Sequence, residues 1–261
     1  MEGFSNNTSV KQNYSTKNII DENVKTRMHT GETPVFVGFI NGDSPTGVFV
    51  NSIPFVSFRD TTEKDLLRFL AAELYGGFGK QGVYSKTIGA GLSYSTGVGA
   101  SPTYGEFYYY AERTPLLPQT LQYVIDEIKR SPVDTSMLDY VISLAVGNFR
   151  SADDYESRGI AMANNLADNI TPELVKNFRQ SILKLRKQPG VINNIYKYKD
   201  AVYERIFPGY GIASKEVKGG IFFVIGAEKQ MVAYEAYLKK MNGDNTKLFR
   251  LFPRDFWMRD K

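Results

Sequence analysis

Hydrophobic residues recur at helical spacing from Leu66 to Leu74, and the spacing changes to strict alternation soon afterwards. The first pattern predicts an amphipathic helix with Thr62 as its N-cap and a pair of glycines at its end. The segments GLSYS and EFYYYAE have period 2, which predicts two strands joined by a loop over residues 96–104. The stretch Leu66–Arg113 is therefore predicted to be a helix set against a β-hairpin.

Patterns on both sides of this stretch predict further elements. Two β-rich runs, PVFVGFI and TGVFVNSIPFVSF, precede it. Helical spacing then predicts a helix beginning near Pro118 and several helices that fill residues 134–206. GGIFFVIGA is a continuous apolar run, which predicts a strand buried on both faces, and a helix over 228–241 and a strand over 247–252 follow it. The order predicts an α+β fold, with helices packed on one face of a mainly antiparallel sheet.

Composition changes near residue 33. Residues 1–32 are polar and lack a period, which predicts a tail or an inter-half linker, and 33–261 are predicted to form one α+β domain. Thirty-two basic and 28 acidic residues give a net charge of +4, and the basic residues are scattered, so neither nucleic acid nor an anionic membrane is favoured as a partner. The chain shows no secretory leader and no apolar run that would span a bilayer, so we expect a soluble chain of unassigned compartment.

The residue types that support catalysis are scarce. The chain has no cysteine, which excludes thiolate sites, and a single histidine, His29, which leaves little basis for a Ser-His-Asp triad or a multi-histidine zinc site. His29 begins the segment HTGE, which has half the spacing of an HxxEH zinc motif. Gly31 and Pro34 prevent the helix that this motif needs, which favours a linker histidine over a metal ligand. No metal site and no cofactor are predicted in this chain.

Three other groups have both a functional and a structural interpretation. The loop GGFGKQG would suit a phosphate cradle, but it follows a helix, whereas such cradles precede one. Tyr108–Tyr110 would suit base stacking, but alternate residues of a strand point to opposite faces, which favours a half-buried sheet. Glu106 and Glu112 are candidate general bases, and no second titratable group lies near either in the sequence. The structural interpretation is favoured for all three.

The order of motifs resembles a known family. An apolar helix followed by LYGG, SKTIGAGLSYS, a further strand and a helix that begins at a proline resembles the C-terminal half-domains of the insulinase/pitrilysin class. These are zinc metallopeptidases with the inverted motif HxxEH. The resemblance covers about residues 34–258 and includes the segments GGIFFVIGAEKQMVAYEAYLKKM and LFPRDFW. Such enzymes consist of homologous α/β halves, and this chain resembles the half without HxxEH.

The resemblance implies a role in a larger enzyme. The two halves close around an unfolded peptide, so this chain is expected to form the substrate-binding wall of the peptide chamber and to complete the active site of a zinc-bearing half. That partner half belongs to the same polypeptide or to a separate subunit, and the zinc is expected there. The chain alone is expected to be inactive. The alternative is a non-catalytic interaction or scaffold domain that retains the peptidase fold.

The resemblance also implies site residues. Tyr94 matches the family tyrosine that reaches the substrate at the zinc, and its alternative is a buried tyrosine packed on the helix Leu66–Leu74. The family arginine has no counterpart, and Lys86 is the nearest cation, although it lacks the guanidinium fork and its alternative is a solvated charge. Gly89 and Gly91 would let the backbone lie close to bound peptide. We further expect an extended peptide to add to an exposed sheet edge.

Overall fold

The computed structural model describes residues 35–147, 154–211 and 219–256. The predicted tail over 1–32, with His29, lies outside them. The strands are β1 (Phe36–Ile40), β2 (Gly47–Pro54), β3 (Ser95–Ser101), β4 (Glu106–Thr114), β5 (Ile221–Gly226) and β6 (Phe249–Leu251). The helices are α1 (Glu63–Ala72), α2 (Val83–Gly89), α3 (Leu117–Arg130), α4 (Leu138–Gly147), α5 (Tyr155–Ala167), α6 (Pro172–Leu185), α7 (Val191–Lys197), α8 (Lys199–Tyr203) and α9 (Glu228–Asn242). These elements form one compact unit, and a separate unit contributes the 3₁₀ turn Pro253–Phe256.

The described strands form one mixed sheet in the order β3-β4-β2-β5-β1-β6. The pairs β3/β4, β4/β2 and β2/β5 are antiparallel, whereas β1 runs parallel to both β5 and β6. Three of the five described pairings are therefore antiparallel. The predicted α+β class with a mainly antiparallel sheet is confirmed.

One face of the sheet carries the core. In β2 and β4 the residues Phe49, Ile53, Phe107 and Tyr109 are fully buried. Helices α1, α3 and α9 contact strands of the sheet, as the prediction of helices on one face requires. The alternate side chains on the opposite side of β2, β4 and β5 are exposed or half-buried, and we call them the open face: Val50, Ser52, Tyr108, Tyr110 and Phe223.

The N-terminus and the apolar face of helix α1 form as its sequence predicts, but the prediction that the pair of glycines ends the helix is wrong, because a 3₁₀ turn separates the two. The Oγ1 of Thr62 accepts a hydrogen bond from the Asp65 N–H at 3.2 Å, which caps the first turn. Leu66 and Leu70 are buried along the face that packs into the core. The helix ends in the 3₁₀ turn Glu73–Tyr75, directly before the glycine-rich loop.

The predicted strand GLSYS is wrong, and the predicted loop over 96–104 is wrong for residues 96–101, since only 102–104 lie in a turn. Residues 83–89 form helix α2, and β3 begins only at Ser95. The glycines of β3 resemble loop residues in the sequence, but cross-strand rings require them. A Cβ on Gly97 would lie 2.7 Å from the ring of Tyr110, so only glycine lets that ring lie across the strand.

The prediction that β5 is buried on both faces is also wrong. Phe222 and Val224 are fully buried, whereas Ile221 is 52% exposed and Phe223 is half-buried. The strand has neighbours on both edges, β2 and β1, so its hydrogen bonds are made within the sheet. Its apolar residues lie on both faces although only one of these faces packs on the core.

Candidate functional site

Tyr94 lies directly before β3, outside the regular strand. Its N–H donates to the carbonyl of Glu112 at 3.0 Å, which joins it to the end of β4. Its side chain is 68% exposed. The interpretation of Tyr94 as a buried tyrosine packed on α1 is therefore wrong, and its phenol is accessible from solvent.

A guanidinium group lies over the ring of Tyr94. The Cζ of Arg113 is 4.7 Å from the ring centroid, which is within cation–π distance. Arg113 has a φ of 51°, in the left-handed region that non-glycine residues seldom adopt. Sequence reasoning missed this cation because it belongs to the neighbouring strand, and only the antiparallel register of β3 and β4 brings the two residues together.

Lys86 lies in α2 and is engaged by α3. Its Nζ donates to the Glu127 carboxylate at 2.6 Å, and about a quarter of each side chain is exposed. The hydrogen bond from Lys86 is the main cause of the lowered pKa of Glu127. The carbonyl of Lys86 also accepts a hydrogen bond from the Tyr123 hydroxyl at 3.4 Å. The ion pair therefore joins α2 to α3, and substrate binding by Lys86 stays a prediction.

Gly89 and Gly91 belong to the end of α2. The Leu92 N–H donates to the carbonyl of Thr87 and the Gly91 N–H to that of Ile88, which is a Schellman motif. Gly91 has a φ of +71° at the left-handed position of this motif, where glycine is favoured. A Cβ on Gly89 would meet nothing within 4 Å. The structure thus gives Gly91 a backbone role, and contact of both glycines with a peptide stays a prediction.

The glycine-rich loop before α2 is held by one tyrosine. The Tyr140 hydroxyl donates to the carbonyl of Gly76 at 3.0 Å and accepts from the Gly79 N–H at 2.9 Å. A Cβ on Gly79 would lie 2.6 Å from that hydroxyl oxygen, so the loop needs glycine to approach Tyr140. The loop also presents Phe78, which is exposed and contacts the ring of Tyr84. The loop does precede a helix, α2, contrary to the sequence expectation, but it follows a 3₁₀ turn and not a strand, and these contacts support the turn interpretation over a phosphate cradle.

A buried carboxylate covers part of the edge of the sheet. β3 is an edge strand, and the Ala100 N–H donates to Oε1 of Glu73 at 2.8 Å. Burial raises the pKa of Glu73 to about 7, and the hydrogen bond from Ala100 opposes this effect. A Cβ on Gly76 would lie 3.1 Å from the carbonyl oxygen of Val98, so the chain after α1 follows the same edge. The Ala100 N–H at this part of β3 is therefore not free to pair with an added strand, and the addition of a peptide to a sheet edge stays a prediction.

The open face is apolar and aromatic. Val50 is 44% exposed and lies opposite Tyr110 in the register of β2 and β4, while Ser52 lies opposite Tyr108. The Ser52 hydroxyl donates to the carboxylate of Glu106 at 2.9 Å. Tyr108 and Tyr110 thus share one face while Tyr109 is buried, as expected for a half-buried sheet.

Metal-ligating side chains do not cluster in the part of the chain that the structure describes. There, no group of three or more histidine, cysteine, aspartate or glutamate side chains is arranged to hold a metal ion. None of the described helices is both long enough and apolar enough to cross a lipid bilayer.

Comparisons with known proteins give matches among solved structures. No protein-family model and no curated protein matches the sequence. The chain is similar to an inactive domain of peptidase M16 from Pseudomonas fluorescens, with 18% identity and a TM-score of 0.48 over 75% of this chain and 44% of that chain. It is similar to the periplasmic protease PqqL from Escherichia coli, with 13% identity and a TM-score of 0.49 over 82% of this chain and 24% of that chain. It is similar to pitrilysin, with 8% identity and a TM-score of 0.43 over 85% of this chain and 22% of that chain. The chain spans less than half the length of each.

Proposed function

We propose that this chain is the zinc-less half of an insulinase-type metalloendopeptidase, and that it completes the active site of a zinc-bearing half. The sequence resemblance supports this role, and the exposed Tyr94 beside Arg113 carries it. A phenol O–H and the guanidinium N–H groups are donors that bind a peptide carbonyl oxygen. At the active site of the partner half they would stabilise the negative charge that develops on that oxygen.

The open face provides the substrate-binding wall. Val50, Tyr108, Tyr110 and Phe223 present an apolar surface on which the side chains of an unfolded peptide would lie. Because Glu73 occupies the N–H of Ala100, we assign peptide binding to this face and to the Tyr94 end of β3, and not to the β3 edge.

Tyr94→Phe tests the proposal, because it removes one hydrogen-bond donor and keeps the ring. In a complex reconstituted with a co-expressed half that carries HxxEH, kcat should fall roughly 100-fold, as for other oxyanion donors. The free energy of unfolding should not change. Tyr104→Phe is the matched control, since Tyr104 is 75% exposed in the β3–β4 turn. If the two variants have equal kcat, Tyr94 takes no part in catalysis.

The isolated chain gives a second test. Metal analysis should find no stoichiometric zinc, and incubation with unfolded peptides should give no cleavage. One tightly held zinc ion with chelator-sensitive cleavage would overturn the assignment to the zinc-less half.

A non-catalytic interaction domain is the second candidate, and the ion pair of Lys86 with Glu127 favours it. Lys86, the nearest match to the family arginine, is held in this ion pair between α2 and α3. In this case the chain would still bind peptides, but Arg113→Lys and Tyr94→Phe would both leave the turnover of the reconstituted pair unchanged.

A further inference from the structure

Two arginines approach the same phenyl ring at the point where β2 leaves the sheet. The Cζ of Arg68, on α1, is 5.2 Å from the ring centroid of Phe55, and the Cζ of Arg205, which follows α8, is 5.9 Å from it. Arg205 also donates to the carbonyl of Pro54 at 3.2 Å, which fixes its guanidinium at the end of β2. We call Phe55, Arg68 and Arg205 the double-arginine cluster.

The cluster has an excess of positive charge. Asp65 accepts a long hydrogen bond of 3.4 Å from Arg68 and balances one of the two cations. Among the described residues no carboxylate forms an ion pair with Arg205. Burial, followed by the positive charge of Arg68, lowers the pKa of Arg205. An anion bound at the guanidinium groups would relieve this repulsion.

We infer that the double-arginine cluster binds a carboxylate of a peptide, either its C-terminal carboxylate or an acidic side chain. The guanidinium fork presents paired N–H groups that match the two oxygens of a carboxylate, and the Phe55 ring keeps both forks in place. Pro54 occupies only part of the Arg205 donor set, because a guanidinium has five N–H groups. The choice of a peptide as the source of the carboxylate rests on the proposed function, whereas the anion site itself does not.

N-acetylglycine and its neutral analogue N-acetylglycinamide test the anion site directly. Titration of the ¹⁵N-labelled 261-residue chain should shift the Nε–Hε signals of Arg68 and Arg205 saturably with the acid and not with the amide. Arg205→Gln should weaken the affinity about tenfold, and Arg205→Lys, which keeps the charge, should weaken it less. Arg186→Gln is the control, because it removes an arginine from the surface ion pair with Asp139 and should leave binding unchanged. If the acid and the amide shift the arginine signals equally, or if Arg205→Gln binds N-acetylglycine as tightly as the wild type does, the proposed anion site is refuted.

Three peptides of one sequence then identify the source of the carboxylate. One has a free C-terminus, one is amidated and contains an internal glutamate, and one is amidated without acidic residues. Tighter binding of the first or the second, lost in Arg205→Gln, identifies the terminal or the side-chain carboxylate. If all three bind equally, the cluster plays no part although peptide binding at the open face stands. If none binds while N-acetylglycine does, the proposed function fails and the anion site stands.

Discussion

Replacing Glu73 by glutamine tests a buried charge at the end of α1. Glu73 is only 2% exposed, and its carboxylate accepts the Ala100 N–H. Its electrostatic neighbours include the phenols of Tyr108 and Tyr203. Burial raises its pKa to about 7, compared with an ordinary value of 4.5. The ionised carboxylate is therefore held in an environment that favours its neutral form.

The sign of the effect on stability follows from this pKa. A carboxyl group that binds its proton more tightly in the folded chain stabilises the fold fully below pH 4.5, and this stabilisation is lost as the pH rises to about 7. The gap between the two pKa values corresponds to roughly 3 kcal/mol at about 1.36 kcal/mol per pKa unit. Most of this, roughly 2 to 3 kcal/mol, is lost between about pH 5 and pH 8.

Urea unfolding of the wild type and of Glu73→Gln, at several values from about pH 5 to pH 8, measures this loss. The wild type should lose roughly 2 to 3 kcal/mol of unfolding free energy relative to the variant over this range. The phenols of Tyr108 and Tyr203 stay protonated throughout because their pKa values are raised, and both proteins contain His29. Glu156→Gln changes an exposed carboxyl on α5 and should leave the pH dependence of the wild type in place. If the unfolding free energies of the wild type and of Glu73→Gln change with pH in the same way, the reasoning is refuted.

Two further changes test the chain around α2. Gly91→Ala should lower the unfolding free energy by roughly 1 kcal/mol because of its left-handed φ, whereas Gly89→Ala should raise it by about 0.5 kcal/mol, since a Cβ there meets nothing within 4 Å. Equal effects in urea unfolding would contradict the Schellman assignment. Tyr140→Phe should cost about 1–2 kcal/mol and increase hydrogen exchange at the Gly79 amide, because that N–H loses its acceptor. Unchanged exchange at Gly79 would show that Tyr140 does not hold the loop.

Local patterns predicted those elements whose stability is encoded nearby in the chain. The helix α1 has its N-cap and its apolar face within one short segment, and both are found where the sequence puts them, whereas the helix ends at Ala72, before the glycines that were predicted to end it. The helix α2 escaped prediction because glycine, serine and threonine give it weak intrinsic propensity. Its contacts with α3, through Lys86 and Glu127, are tertiary and carry no local signal.

The candidate site was predictable only in part, for a similar reason. The resemblance of the sequence led to Tyr94, and the structure places that side chain at the surface. The contact of Arg113 with Tyr94 depends on strand register, and the contacts within the double-arginine cluster depend on helix packing. Both bring together residues that are distant in sequence. The glycines of β3 were assigned to a loop because the aromatic rings that require them belong to β4.

The order of the strands constrains how the chain folds. β5 lies between β2 and β1, so Phe36 pairs with Phe222, and Val37 pairs with Phe249 at the other edge. During synthesis β1 therefore has no partner in the sheet until the distant segment that contains β5 has left the ribosome. Such non-local pairing slows folding and leaves an unpaired apolar strand exposed to chaperones and to aggregation.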